Sequence, residues 1–194
     1  LKKLVDVKIS VETRSTDGST ALHYAARSGH SSCVQVLMDA GANVDARDGN
    51  NCTPLIVATS EGHVDVVNEL IHRRADVDKQ DSSKHTALLI ATDNSNTALV
   101  QVLLDAGANP DIVDARGNSA VMSAARQGNL DILSILIAGR AVLNTKNEDC
   151  HSALQLALAA GHKDVIQMLV DVVDGEGNTE LMNAAQAENI ELMK

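Results

Sequence analysis

Seven histidines and three cysteines have the most obvious capacity for chemistry here, and their spacing indicates neither catalysis nor metal binding. His30, His63 and His162 recur at multiples of 33 residues, which is typical of a structural position in a repeat. His85 and His151 also share a repeat position, but they are two copies apart, so we do not expect them to ligate one metal ion at about 2 Å. The sequence therefore predicts no catalytic residue, no metal ligand and no cofactor.

The cysteines are predicted to be free thiols. Cys52 and Cys150 fall in loops three repeats apart, whereas a disulfide needs Cα atoms within about 7 Å of each other. Cys33 lies on a predicted helix. Unpaired thiols are typical of a reducing compartment, so we expect a cytoplasmic location, with the nucleus also compatible. The glycines at 175–177 lack the Lys-Ser/Thr that a phosphate-binding loop would need.

Composition and charge exclude several other classes. The 194 residues are 44% hydrophobic but include only one aromatic ring, Tyr24, which favours a thin core of small aliphatic contacts over a sandwich, barrel or doubly wound sheet. A net charge of -10 disfavours nucleic acid as a partner. No apolar run is long enough to cross a membrane, and no signal peptide is recognisable. We expect a monomer or a part of a longer chain, and the second expectation comes from the first residue, which is Leu1 rather than Met.

The elements that must position all these side chains come from one 33-residue repeat. Five copies start at residues 19, 52, 85, 118 and 151 and read STALHYAARSGH, CTPLIVATSEGH, HTALLIATDNSN, NSAVMSAARQGN and HSALQLALAAGH. A sixth copy, NTELMNAAQAEN, follows after only 27 residues. Either one loop is deleted there or residues are missing near 171–172, and we favour missing residues because the flanking helical patterns are intact.

Each copy predicts two helices. The second residue of each copy is Thr or Ser, a good helix N-cap, and helix-spaced Leu and Ala follow it. His23, in the first of these helices, is predicted to be a hydrogen-bonding structural residue. A glycine nine residues after the cap suits a left-handed helix end. The second helix is predicted to bury pairs such as Val67 with Leu70 and Ile166 with Leu169.

The pattern resembles the ankyrin repeat, whose copies have a Thr-Pro-Leu-His start, an Ala-rich first helix, a glycine turn and a second helix followed by Gly-Ala-Asp-Val-Asn. The resemblance implies an all-α solenoid of stacked helix-turn-helix units joined by β-hairpin loops. It divides the chain into a partial repeat, four full repeats, a shortened repeat and a final partial repeat, at 1–14, 15–47, 48–80, 81–113, 114–146, 147–173 and 174–194.

The resemblance also implies a function. Ankyrin-like proteins are protein–protein interaction modules, so we expect a scaffold or adaptor without catalysis of its own. The alternative is a regulatory or targeting ankyrin domain of a larger enzyme, kinase or ion channel. Family binding surfaces, carried over by repeat position, give the predicted partner-binding residues Arg27, Arg47, Asn50, Gln80, Ser82, Ser83, Val113, Arg116, Arg126, Gln127 and Lys146.

The charges on this surface suggest a type of partner. In the fourth repeat the carried-over positions include Arg116, Arg126 and Lys146 and no acid, and Val113 lies beside them. One interpretation is ordinary variation of a solvated surface. The other is a docking site for an acidic, partly apolar protein or peptide, which opposite charges would attract.

Overall fold

The computed structural model describes residues 10–171. The partial repeats predicted at the two ends, and the gap predicted near 171–172, involve residues outside that range. Within it the chain forms ten helices and no strand. They are α1 Ala21–Arg27, α2 Ser31–Asp39, α3 Pro54–Ser60, α4 Val64–His72, α5 Ala87–Asp93, α6 Thr97–Asp105, α7 Ala120–Gln127, α8 Leu130–Ala138, α9 Ala153–Ala160 and α10 Lys163–Asp171.

Most first helices begin at a hydroxyl cap, as the sequence predicted. Thr53 Oγ1 accepts the backbone N–H of Ile56 at 3.3 Å, and the equivalent Thr or Ser before α5, α7 and α9 accepts in the same way. Before α1 the hydroxyl of Thr20 instead lies 2.9 Å from the ring Nδ1 of His23. These caps satisfy backbone N–H groups that have no partner inside the helix.

The turns between paired helices use left-handed backbone where the sequence predicted it. Gly29, Gly62, Gly128 and Gly161 have φ between 70° and 78°. In the third repeat Ser95 takes this conformation instead, with φ of 54°. A side chain in this conformation costs roughly 1–2 kcal/mol, so the surrounding packing holds that turn in place.

The core is built from small aliphatic residues, consistent with the single ring in the sequence. Leu70 and its equivalents Leu103 and Leu136 are fully buried. One predicted core residue is wrong: Ile166 is only half-buried, while Val165 is 1% exposed. Val165 and Leu169 are four residues apart and share one face of α10, and Ile166 lies at the edge of that face.

The loops between repeats are tight hairpin turns. In one of them the N–H of Asp48 donates to the carbonyl of Cys52 at 3.0 Å. The carboxylate of Asp48 also accepts two backbone N–H groups, from Asn50 at 2.8 Å and from Cys52 at 2.9 Å. Because the side chain closes the turn, the hairpin needs no strand on either side.

The chain divides into two compact units, one ending at Asn109 and the other beginning at Pro110. In the first unit, first helix packs on first helix (α1 on α3, and α3 on α5) and second helix packs on second helix (α2 on α4, and α4 on α6). In the second unit, α7 packs on α9 and α8 on α10 in the same manner. Each unit therefore presents a row of hairpins and first helices.

Candidate functional site

A pocket of about 210 Å³ lies on the first unit. It is built from the first helices α1, α3 and α5 and from the hairpins that precede α3 and α5. Two of the predicted partner-binding residues, Arg27 and Asn50, line it. The other lining residues are Asp48, Cys52, Ile56, Val57, Ser60, Glu61, Asp81 and Ile90.

Two carboxylates on the wall of this pocket are held in place by the hairpins. Asp48 Oδ1 accepts two backbone N–H groups of its own turn, and Asp81 Oδ1 accepts the N–H groups of Ser83 and His85, both at 2.8 Å. Asp81 Oδ2 lies 3.6 Å from Nδ1 of His85. Fixed carboxylates of this kind give the pocket a preorganised negative charge.

The pKa of the Cys52 thiol depends on the same carboxylates. Burial, together with the negative charges of Asp48 and Asp81, raises the pKa of Cys52 to about 11, while the positive charge of Arg27 opposes this shift. Because the thiolate is the nucleophilic form, Cys52 is an inert lining group at neutral pH. It supplies apolar surface rather than chemistry.

The guanidinium of Arg27 is positioned by an aromatic ring. Its Cζ lies 5.7 Å from the centre of the Tyr24 ring, within the range of a cation–π contact. Among residues 10–171, no carboxylate oxygen comes within 4 Å of it. The backbone carbonyl of Arg27 accepts a hydrogen bond from Nε2 of His63 at 2.9 Å, which ties this end of α1 to the next repeat.

Other predicted residues of the first unit join neighbouring hairpins. Arg47 Nη1 donates to the carbonyls of Asn51 at 3.2 Å and Gln80 at 2.9 Å. The side-chain amide of Gln80 in turn donates to the carbonyl of Lys84 at 2.6 Å. Because these donors are bonded to backbone carbonyls, Arg47 and Gln80 stabilise the hairpins.

Two predicted serines lie on the hairpin before α5. Ser82 Oγ donates to the carbonyl of Asn50 at 2.7 Å, and this bond joins two consecutive hairpins. Ser83 is exposed, and its backbone N–H is held by Asp81. The lining of the pocket thus includes Arg27 and Asn50, while Ser82 and Ser83 follow the lining residue Asp81 directly in the sequence.

In the second unit, the structure brings two of the predicted cations onto adjacent hairpins. The N–H of Glu148 donates to the carbonyl of Arg116 at 3.0 Å, and the side-chain amide of Asn147, next to Lys146, donates to Asn118 Oδ1 at 2.9 Å. Arg116 and Lys146 are exposed. In the described part of the chain, neither side chain has a carboxylate oxygen within 4 Å.

The remaining predicted residues of this unit differ in exposure. Arg126 is exposed near the end of α7, with Nη2 at 3.5 Å from Ser123 Oγ, and Gln127 beside it is half-buried. From the helical rise of about 1.5 Å per residue, Arg126 lies roughly 10 Å along the helix from the hairpin that precedes it. Val113 is 36% exposed, and Val142 and Leu158 of the same unit are 42% and 47% exposed.

Sequence reasoning missed the acidic wall of the first-unit pocket. Asp48, Asp81 and Asp114 are 33 residues apart, with Asn147 in the next copy, and all four close a hairpin. A second series of acidic residues at the same spacing was also missed. The carboxylate of each one accepts a backbone N–H group of the following repeat at 2.7–3.0 Å, and the series consists of Glu12, Asp45, Asp78 and Asp111. The same 33-residue spacing that located the caps could have found both series.

The histidines have structural roles where their contacts are described, as predicted. His23 is fully buried and bonded, and Nε2 of His162 donates to the carbonyl of Arg126 at 3.0 Å. Over residues 10–171, no group of three or more His, Cys, Asp or Glu side chains could hold a metal ion. None of the helices described is long and apolar enough to cross a membrane.

A protein-family model matches most of the chain. The model of a family described as ankyrin repeats, in three copies, fits residues 1–81 and again residues 73–147. The two matches together cover about three quarters of the chain. A search of curated proteins found no match.

Proposed function

This chain belongs to the ankyrin repeat family, and on that premise we propose that it is a scaffold or adaptor module for an acidic, partly apolar protein or peptide. Ankyrin repeats are generally protein–protein interaction modules and are typically not catalytic. The proposed contact surface is formed by the hairpins and first helices of the second unit. We further propose that the module acts in the cytoplasm.

The observation that carries this proposal is the pair of exposed cations on adjacent hairpins. Arg116 and Lys146 project from loops that are hydrogen bonded to each other, and neither is neutralised by a carboxylate within 4 Å in residues 10–171. A cation that has no internal partner keeps its full attraction for a negative group on another molecule. Arginine can also bind a carboxylate through two parallel hydrogen bonds.

Val113 adds the apolar part of the proposed surface. Its equivalents in the repeats before and after it include Arg47, Gln80 and Lys146, which are all polar. An exposed valine at a position otherwise occupied by polar chains offers a small apolar contact beside the cations. An acidic peptide with one aliphatic or aromatic side chain would match both features.

The test has two steps. A photo-crosslinking residue at position 113 of the full chain would first capture and identify the partner. The charge-reversal variant Arg116→Glu/Arg126→Glu would then be compared with the unchanged chain for affinity to the captured partner. We expect Kd to rise about tenfold, equivalent to about 1.4 kcal/mol, and the dependence of Kd on salt to flatten, because opposite charges no longer meet.

The matched control is Arg140→Glu/Lys163→Glu. It changes the net charge by the same amount in the same unit, but at residues that follow α8 and begin α10. This control should bind as the unchanged chain does, at equal salt. Unchanged affinity of the Arg116→Glu/Arg126→Glu variant would overturn the proposal.

A further inference from the structure

We propose that the pocket of the first unit receives one lysine or arginine side chain of a partner protein. This inference rests on the proposed function as a binding module, but it concerns the other unit and a ligand group of the opposite charge. Its elements are a pocket of about 210 Å³, a mainly polar lining that includes three aliphatic side chains, and an excess of carboxylates over cations.

The lining suits the alkyl stem of such a side chain. Ile56 and Val57 on α3 are buried, and Ile90 on α5 and Cys52 are half-buried. Lysine and arginine place their methylene groups along apolar surface while the charged end reaches polar groups.

The charge of the pocket suits the cationic end. Asp48, Glu61 and Asp81 line it together with a single cation, Arg27, whose guanidinium lies over the Tyr24 ring. Asp48 Oδ1 is used by its hairpin, but within the described residues its Oδ2 accepts no hydrogen bond. One carboxylate oxygen is therefore available to an ammonium or guanidinium group, and two negative charges remain in excess.

A metal ion fits this pocket less well than an organic cation. Among the described residues, no group of three or more potential ligands could hold a metal, and the aliphatic part of the lining would contribute nothing to a hydrated ion. The hairpin geometry also fixes Asp48 and Asp81 separately, each on its own backbone. Two carboxylates held on separate hairpins suit a long flexible side chain that carries a delocalised or rotatable donor group.

The test uses the full chain with labelled isoleucine and valine methyl groups and a set of blocked pentapeptides. The probes are acetyl-Ala-Ala-X-Ala-Ala-amide with lysine, arginine, norleucine or citrulline as X. We expect lysine and arginine peptides to shift the methyl resonances of Ile56, Val57 and Ile90. Norleucine and citrulline keep the stem without the charge, so their peptides should bind at least about tenfold more weakly if the carboxylates contribute about 1.4 kcal/mol.

The variant Asp48→Asn/Asp81→Asn removes the charge while keeping the hairpins. Asn147 shows that asparagine closes the same turn, since its Oδ1 accepts the N–H groups of Asp149 and His151 at 3.1 and 2.9 Å. We expect this variant to weaken lysine-peptide binding about tenfold, in line with two partly exposed charge pairs. The matched control is Asp114→Asn, the same change in a hairpin outside the pocket, which should leave binding unchanged.

Several results would overturn this inference. They are an absence of any methyl shift with the lysine and arginine peptides, equal shifts with norleucine, or unchanged affinity in the Asp48→Asn/Asp81→Asn variant. These results leave the proposed function intact if the crosslinked partner still binds the second unit. Conversely, the Arg116→Glu/Arg126→Glu variant should bind the lysine peptide as the unchanged chain does, so the two proposals fail separately.

Discussion

At the residue scale, His23 shows how a side chain suited to catalysis is used to build the fold. Its Nε2 lies 3.0 Å from the carbonyl of Cys52, so this nitrogen carries the hydrogen, because a carbonyl can only accept. Nδ1 then accepts the backbone N–H of Thr20 at 3.1 Å. Both ring nitrogens are used inside a fully buried site, which leaves none for a substrate or a metal.

We predict that His23→Ala lowers the free energy of unfolding by about 2–4 kcal/mol, because it leaves buried polar groups without partners and creates a cavity. His23→Gln should cost about half as much. The fifth repeat has Gln155 at the equivalent position, where Oε1 accepts the N–H of Ser152 at 2.8 Å. Urea unfolding of both variants measures the difference, and equal costs would show that the cap bond at this position is unimportant.

At the element scale, the turn between paired helices is also a contact between repeats. A Cβ on Gly29 would lie 2.8 Å from two ring atoms of His63, whose Nε2 bonds the end of α1. A Cβ on Gly62 would meet only the amide nitrogen of Asn96, at an ordinary 3.7 Å. Both glycines have positive φ, so they differ in their neighbour rather than in backbone strain.

Gly62→Ala should therefore cost only the left-handed strain, roughly 1–2 kcal/mol. Gly29→Ala should cost about 1 kcal/mol more, because the ring of His63 must move and its hydrogen bond is lost. Thermal and urea unfolding would measure both. If the ring is the cause, Gly29→Ala should cost little more than Gly62→Ala when both are made in a His63→Ala background. If Gly29→Ala still costs about 1 kcal/mol more than Gly62→Ala in that background, the ring of His63 is not the cause.

At the scale of the whole molecule, the chain forms two compact units, each with its own buried second-helix row. Leu70 on α4 and Leu136 on α8 occupy the same repeat position, and both are 0% exposed. In repeat arrays, stability is approximately a sum of each repeat and its nearest neighbours. A destabilising substitution in one unit should therefore lower the stability of that unit first.

We predict that Leu70→Ala and Leu136→Ala each cost about 2–5 kcal/mol, the range for a buried leucine. Hydrogen exchange should then accelerate mainly in α1–α6 for Leu70→Ala and mainly in α7–α10 for Leu136→Ala. Each variant is the matched control of the other. A uniform acceleration along the chain in both variants would instead show that the chain opens as one cooperative body.

The helices, their caps and their left-handed turns could be predicted from the sequence, because these features depend on the local backbone and on the 33-residue spacing. Thr53, Gly62 and Leu70 could be assigned in this way without any knowledge of their neighbours. Even Arg74, at a position where other copies have glycine, takes the left-handed conformation with φ of 65°.

The contacts of the surface residues depend on how the repeats pack against each other. Arg47 and Arg116 are both arginines in hairpin loops, yet Arg47 is bonded to two carbonyls and Arg116 has no carboxylate within 4 Å among residues 10–171. The pocket joins Arg27, Asp48 and Ile90 from three consecutive repeats, and no local pattern reveals such a combination. The 33-residue period predicts where each residue lies within its repeat. The partners and the charge environment of its side chain depend on the packing between repeats.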